Sequence, residues 1–452
     1  MNVDARPAKR IRRPPSPWLV LIMGFAFLIL AGTVLLLLPF ATTAGRSTVP
    51  LVALFTATSS VCVTGLVVVD TATQWTPFGQ AVILALIQLG GFGFMTGSTV
   101  VLLLLIGRRT GLRDRLLVQA STGAELGSVA PLVRRVALFT VVVEAIGAVV
   151  LFVAFAARGI DLGRSAWWGL FHSVSAFNNA GFDLVGEFRS LTPFVRDPLV
   201  LGTVVVLLVV GGLGFAIVGD VAIKRRWVRL ALETKVVLLT SLVLLVCGAA
   251  AIGALEWSNP ATLGALPETD RVVNALFQSA TARTAGFNAL AIGSLAELSL
   301  LVTMALMFIG GASGSTAGGI KVNTFALLLV AIISSARGEP AATAFGRRVP
   351  HIVVYRAVAV ALLSIAVTFV LFFALSLFAG GTFIDRAFET ISALGTVGLT
   401  TGITPQLPDP ARVVLIVGMF IGRLGPLTLV LALAARSRSL PYRPAVETMR
   451  IG

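Results

Sequence analysis

An all-α integral membrane protein is the fold class this sequence predicts, built from four parallel span–pore-helix–span repeats, with eight transmembrane spans and four re-entrant pore loops in a pseudo-fourfold arrangement around one pore. Composition is the first of three observations behind it: 57% of residues are hydrophobic, 12% are charged, and the mean hydropathy of +0.96 is far above that of a soluble domain. The second is that apolar residues gather into stretches near or beyond the roughly 20 residues that cross a bilayer as a helix. The third is a pattern that recurs four times between those stretches.

The stretches run 17–39, 78–106, 132–156, 198–223, 236–255, 296–336, 352–379 and 412–435. No small-residue cleavage site follows the first, which reads as a retained span rather than a signal peptide. Basic residues cluster at Lys9, Arg10, Arg12 and Arg13, at 107–115 with Arg134 and Arg135, and at 224–229 with Lys235. Further clusters are Arg337, Arg347, Arg348 and Arg356, and then Arg436, Arg438, Arg443 and Arg450. Their recurrence after every second span follows the positive-inside rule, which accounts for the net charge of +15 without nucleic acid and puts both termini in the cytoplasm of a multi-pass cell-membrane protein. The expected organisation is a basic cytoplasmic tail (1–16), repeat one (17–115), repeat two (116–229), repeat three with a broken second span (230–347), repeat four (348–436) and a cytoplasmic carboxyl tail (437–452). Cys62 and Cys247 make neither a disulfide framework nor a metal-ligand spacing and read as packing or backbone positions.

The repeated pattern lies in the outer connections: "LFTATSSVCVTGL" (54–66), "LFHSVSAFNNAGF" (170–182), "LFQSATARTAGF" (276–287) and "AFETISALGTVGL" (387–399). Phe55, Phe171, Phe277 and Phe388 are each followed four residues later by Ser59, Ser175, Thr281 and Ser392, a spacing that shares one helix face. Gly65, Gly181, Gly286 and Gly398 then close the pattern. Non-helical backbone at membrane depth survives only where protein buries it or where it lines an aqueous cavity. Four such segments face to face would ring their carbonyl oxygens in place of the hydration shell of a monovalent cation, with glycine allowing close approach. Read singly, each glycine is a turn in a short loop; four at matched positions favour the ring.

These residues resemble the Trk/Ktr/HKT superfamily of potassium transporters, and within it the Ktr-type membrane subunits, from about residue 17 to the end. The resemblance rests on "SSVCVTGL", "SAFNNAGF", "TARTAGFN", "LGTVGLTTG", "GGASGSTAGGIK" and "GRLGP". It implies that each loop supplies a quarter of a K+ filter at Val63, Thr64, Gly65, Asn179, Ala180, Gly181, Thr284, Ala285, Gly286, Thr396, Val397 and Gly398. Glycine rather than serine at Gly65 points to potassium, and the lack of room for two extra helices before residue 17 points to the Ktr type.

Other buried polar residues are weighed separately. Arg283, a positive charge beside a cation filter, is expected behind it as a salt-bridged brace to Asp183 or Glu187. His172 reads as a helix-packing residue, Asn178 and Asn179 as loop braces, and Glu144 as a paired or neutral carboxyl of open role.

The sixth stretch would make a helix about 60 Å long, twice the hydrocarbon thickness, and so must break. The halves are 298–309 and 320–333, with "GGASGSTAGGIK" between them. Gly314 and Gly319 have Walker A spacing, but Ile320 intervenes, Lys321 comes one place late and Val322 replaces the hydroxyl, so a nucleotide loop is rejected. The resemblance implies a gate instead: Gly310, Gly311, Ala312, Ser313, Gly314, Ser315, Thr316, Ala317, Gly318 and Gly319, with Lys321 and Arg423. Arg423 lies mid-membrane, where it either holds the loop and adds a barrier to cations or ties two helices together. Lys321 is expected to snorkel or pair locally rather than bind substrate.

The function expected is the pore subunit of a potassium uptake system, with K+ as the transported ion, Na+ as a candidate second ion, no covalent cofactor and no enzymatic constellation. The alternative is a Na+-coupled alternating-access transporter, which predicts paired broken helices where the sequence displays one. The resemblance also implies a homodimer docked on a cytosolic nucleotide-binding regulatory ring, through 107–115, 224–229 and the carboxyl tail.

Overall fold

The computed structural model describes residues 17–109 and 130–425. The basic tail 1–16, residues 110–115 of the second basic cluster, the end of the eighth stretch beyond 425 and the carboxyl tail 437–452 lie outside the described residues. The protein is mostly helical. In chain order the helices are α1 (Pro17–Leu36), α2 (Pro50–Val61), α3 (Thr71–Gln74), α4 (Pro77–Arg109), α5 (Ala130–Ala156), α6 (Leu162–Phe177) and α7 (Pro198–Lys224). There follow α8 (Leu232–Glu256), α9 (Glu268–Thr281), α10 (Glu297–Phe308), α11 (Val322–Ala336), α12 (His351–Ser376), α13 (Phe383–Gly395) and α14 (Asp409–Leu424).

Local sequence explains where many of these begin. Pro50 and Pro198 open α2 and α7, where a missing N–H costs nothing. Asp161 caps α6 by accepting from the Gly163 and Arg164 amides, and Thr382 with Asp385 forms a capping box on α13. Among the described residues, five helical segments are long and apolar enough to cross a membrane: Leu19–Leu36, Val133–Ala156, Pro198–Lys224, Leu232–Glu256 and His351–Ser376. Their outer faces stay apolar where exposed, with Phe27 and Phe369 each 69% accessible, which only a hydrocarbon solvent tolerates on this scale. This is a multi-pass membrane protein.

The short helices α2, α6, α9 and α13 occupy the interior. Phe55, Phe171, Phe277 and Phe388 are at most 1% exposed, so each short helix is anchored through its phenylalanine. Each packs on the long helix before it in sequence and, on its other side, on a helix from the preceding set: α6 on α4, α9 on α7, α13 on α10 and α2 on α14. The last of these contacts closes the packing into a cycle.

The sixth stretch is two helices, α10 and α11, whose facing ends are pinned by a parallel bridge between Ile309 and Ile320, with the Gly310 amide donating to the Ile320 carbonyl at 2.8 Å. Sequence reasoning found only this one break. The structure corrects that: α7 leaves helical geometry at Gly214 (φ 76°, ψ 161°), a conformation that glycine alone enters cheaply. After α11 a two-stranded hairpin, β1 (Thr343–Ala344) and β2 (Arg347–Arg348), had no counterpart in the sequence reading.

Candidate functional site

The four glycine segments meet in the protein interior. A Cβ placed on Gly65 would come within 3.0 Å of the Ala180 carbonyl oxygen, on Gly181 of the Ala285 oxygen, on Gly286 of the Val397 oxygen and on Gly398 of the Thr64 oxygen. The four junctions thus form a closed ring in sequence order, each a glycine against the carbonyl of the residue preceding the next glycine. Two residues before each glycine, Val63, Asn179, Thr284 and Thr396 also have positive φ, from 48° to 70°. A left-handed residue, an ordinary one and a left-handed glycine in succession turn neighbouring carbonyls toward a common side, which an extended strand does not do. Non-glycine residues seldom hold such angles unless their surroundings enforce them.

The matched hydroxyls provide part of that enforcement, in two ways. Ser59 Oγ and Ser392 Oγ accept from the amides of Gly65 and Gly398, both at 3.1 Å. Ser175 Oγ and Thr281 Oγ1 instead donate to the carbonyls of Phe182 (2.8 Å) and Phe287 (2.6 Å), just past their glycines. Loops two and three are further joined to each other by the Leu191 amide donating to Asn288 O at 2.9 Å.

Behind the second loop lies a buried polar cluster. The Asn178 amide nitrogen donates to Glu144 Oε1 and Gln88 Oε1, both at 2.9 Å, and Gln88 Nε2 donates to Glu144 Oε2 at 3.1 Å. Glu144 therefore ties α5 and α4 to the base of that loop. His172 is packed among Phe155, Trp168 and Phe171 with Nδ1 at 2.7 Å from the Trp168 carbonyl. Arg283 departs from expectation. It reaches neither Asp183 nor Glu187 but donates to the carbonyl and hydroxyl of Ser241 on α8, both at 3.1 Å, while Glu187 pairs with Arg189 at 3.2 Å. The reason is position along the chain: Arg283 precedes its glycine and turns back to the helix before it, whereas both carboxylates follow theirs and are engaged within their own segment. Asp183 accepts from the Val185 amide at 3.0 Å, and burial, reinforced by the nearby Asp70 carboxylate, pushes its pKa up to about 6.

The segment 310–319 lies against the base of the ring. Thr316 Oγ1 reaches Asn179 Oδ1 (2.9 Å) and the Phe177 carbonyl (3.2 Å), a Cβ on Gly318 would strike Thr396 Oγ1, and one on Gly310 would touch the Thr284 methyl at 3.3 Å. Three of the four left-handed ring residues are therefore in reach. The segment is seated on the break in α7, where the Gly212 carbonyl accepts from the Ala312 amide at 2.8 Å, and the Ser313 amide donates to Asn323 Oδ1 at 2.9 Å. Arg423, 1% exposed, donates to the Thr316 carbonyl and, at 2.9 Å, to the Gly90 carbonyl, bridging the segment to α4. Lys321 Nζ donates to the Ala317 carbonyl. Gly311, Gly314, Ser315 and Gly319 complete the segment, with Ser315 fully buried.

Sequence reasoning missed a second repeat that supports this arrangement. "GGFG" (90–93) and "GGLG" (211–214) lie in the helix that follows their glycine loop, "GGAS" (310–313) just past the end of α10 and "GRLG" (422–425) at the end of α14, and Arg423 stands where the others have their second glycine. Cβ atoms on Gly90, Gly211 and Gly422 would collide with the carbonyls of Val61, Phe177 and Leu394, each four residues before a ring glycine. Comparing the four second spans with one another would have revealed it.

Apolar helices around a closed ring of glycine loops, with a segment of small residues against its base, make this a polytopic membrane protein, and the family match places it in the cation-transport class. Over residues 17–440 the chain matches the model of the TrkH family, described as a cation transport protein, and it belongs to that family. It is 43% identical over 426 residues to the Ktr system potassium uptake protein B of Bacillus subtilis, covering 94% of each chain. To the protein of that name from Vibrio alginolyticus it is 41% identical, covering 94% of this chain and 93% of the other. It is 36% identical to the potassium/sodium uptake protein NtpJ of Enterococcus hirae over 98% of this chain and 99% of that one. The crystal structure of the potassium transporter TrkH from Vibrio parahaemolyticus shares the fold, with a TM-score of 0.73 at 20% identity over 95% of this chain and 87% of that one.

Proposed function

We propose that this chain is the membrane-spanning pore subunit of a potassium uptake system, with four parallel repeats, eight spans and four re-entrant loops about one pore. The observation that carries the reading is the ring itself. Four carbonyls sit at equivalent junctions between loops, and left-handed backbone flanks each of them, which is the geometry that replaces a monovalent cation's water. The names of the relatives supply the ion, K+, and the filter comprises Val63, Thr64, Asn179, Ala180, Thr284, Ala285, Thr396 and Val397 with the four glycines. Residues 310–319 form the gate: a plug of small side chains latched by Thr316 and Arg423, whose buried guanidinium opposes a cation in its path. Lys321 adds a second positive charge at its inner edge.

The subunit works as a homodimer under a cytosolic nucleotide-binding ring, with both termini in the cytoplasm. A Na+-coupled alternating-access mechanism is the second reading. It gains one observation, since the break at Gly214 faces the broken α10–α11 span and provides the paired break that the sequence lacked. Potassium uptake in a transport-deficient cell tests both readings. Gly65→Ser should degrade K+/Na+ selectivity, and an unchanged ratio removes the filter. Deleting 312–317 should raise K+ flux without any requirement for Na+; flux that stays Na+-dependent favours the second reading.

A further inference from the structure

Three residues before the ring glycines stand Cys62, Asn178, Arg283 and Gly395. The positions are equivalent and the chemistry is not. Asn178 reaches out of its loop to Glu144 on α5, and Arg283 reaches out of its loop to Ser241 on α8. In both cases the receiving helix is the long one that precedes the short helix of the same repeat. Gly395 has no side chain to extend, and Cys62 offers only a thiol on a short stem. The tethers are specific in form: Asn178 meets two side-chain oxygens on two helices, and Arg283 grips a carbonyl and a hydroxyl of one residue.

We propose that Asn178 and Arg283 are positioning residues that set cation selectivity, by fixing the bases of loops two and three to their outer helices so that the ring cannot adjust to an ion of a different radius. The inference rests on the ring being the filter. Each tether acts one residue before a left-handed residue of the ring, so a shift at the tether moves Asn179 or Thr284 directly. Among the described residues, Cys62 and Gly395 make no such tether to an outer helix, and loop four is braced only within itself, by Glu389 accepting from the Thr401 amide and from the Thr400 and Thr404 hydroxyls, so loops one and four form the more compliant half. Neither tethering side chain needs to touch the ion.

The test is the inhibition of K+ uptake by Na+, a ratio independent of expression level, in whole cells carrying the full chain. Asn178→Ala and Arg283→Met should each reduce K+/Na+ discrimination about fivefold, the factor one such hydrogen bond is worth. Cys62→Ala, the untethered equivalent, should leave the ratio within about twofold. Glu144→Ala removes the far end of the first tether and should reproduce Asn178→Ala, and the double variant should be no worse than the single, because both changes break one connection. Additive losses, or reduced uptake with an unchanged ratio in both tether variants, overturn the proposal. If Asn178→Ala does not reach the membrane, Arg283→Met decides alone. Gly181→Ser separates the two levels: if it shifts the ratio while the tether variants do not, only the tethers fail, and if it too is silent, the filter reading fails with them.

Discussion

Loops two and three differ from loops one and four, although all four carry one sequence pattern. In the first pair the matched hydroxyl donates to a carbonyl beyond the glycine, a polar side chain reaches an outer helix, and the outer segments are hydrogen-bonded to each other. In the second pair the hydroxyl accepts from the glycine amide itself, and the equivalent side chains are a thiol and a hydrogen. The contacts of segment 310–319 divide similarly, with Thr316 bonded to loop two while Arg423, which donates to the Thr316 carbonyl, reaches across to α4. A ring with near-equivalent backbone can therefore be stiff on one side and yielding on the other.

The largest expected effect comes from the ring glycines. An added methyl would lie 2.8 Å from the Ala285 oxygen at Gly181 and closer to a carbonyl at Gly65, Gly286 and Gly398. Alanine at either end of this range should therefore reduce K+/Na+ selectivity by about ten- to a hundredfold, the range of overpacking penalties; near-equal losses at Gly398 and Gly181 are expected because loops one and four yield, whereas a far larger loss at Gly398, following the distances alone, would argue that the ring is uniformly stiff. Next is the latch. Arg423→Ala should raise K+ flux about tenfold by freeing the Thr316 and Gly90 carbonyls, and Thr316→Val about threefold because it breaks only the loop-two side. Flux assays that rank them in reverse would assign the latch mainly to loop two.

The struts should follow. Ser59→Ala strands a backbone N–H, whereas Ser175→Ala leaves a carbonyl with spare lone pairs, and buried carbonyls tolerate this better. Selectivity should fall about threefold in the first and less in the second. The smallest effect is external. Asp183, two residues past Gly181, has its pKa raised to about 6 by burial, so it is charged above that pH and neutral below it. Uptake at limiting K+ should drop about twofold as external pH falls from about 7 to 5, as the attraction to cations is lost. Asp183→Asn should remove the pH step; a step that survives assigns it to another group.

Much of the site was legible because the information is local. Composition indicated the solvent, stretch length marked the five helical segments that are long and apolar enough to span, and the spacing of Phe, hydroxyl and glycine marked the loops, since a side chain's place on a short helix depends on its neighbours in sequence. The break at 310–319 followed from length alone. The partner of Arg283 did not: Ser241 lies 42 residues away, and nothing in the sequence distinguishes it from the carboxylates of loop two. The break at Gly214 was hidden for a related reason. "GGLG" is tolerated in a helix, and only the docking of 310–319 on its carbonyls makes the left-handed conformation at Gly214 worth adopting.

By itself, then, the sequence determined that this chain dissolves in a bilayer, that four short helices share one spacing of phenylalanine, hydroxyl and glycine, and that each is followed by a turn at that glycine. Apolar area, hydrogen-bonding need and φ are properties of residues and short segments, so they can be read without a fold. The tertiary structure alone decided which carbonyl each glycine faces, how the cycle closes from Gly398 back to Thr64, and which two loops are tied down. The ring junctions depend on distances between segments 100 or more residues apart, as do Thr316 to Asn179 and Arg423 to Gly90, and the two tethers span 34 and 42 residues; packing sets such distances only when all the helices are in place at once.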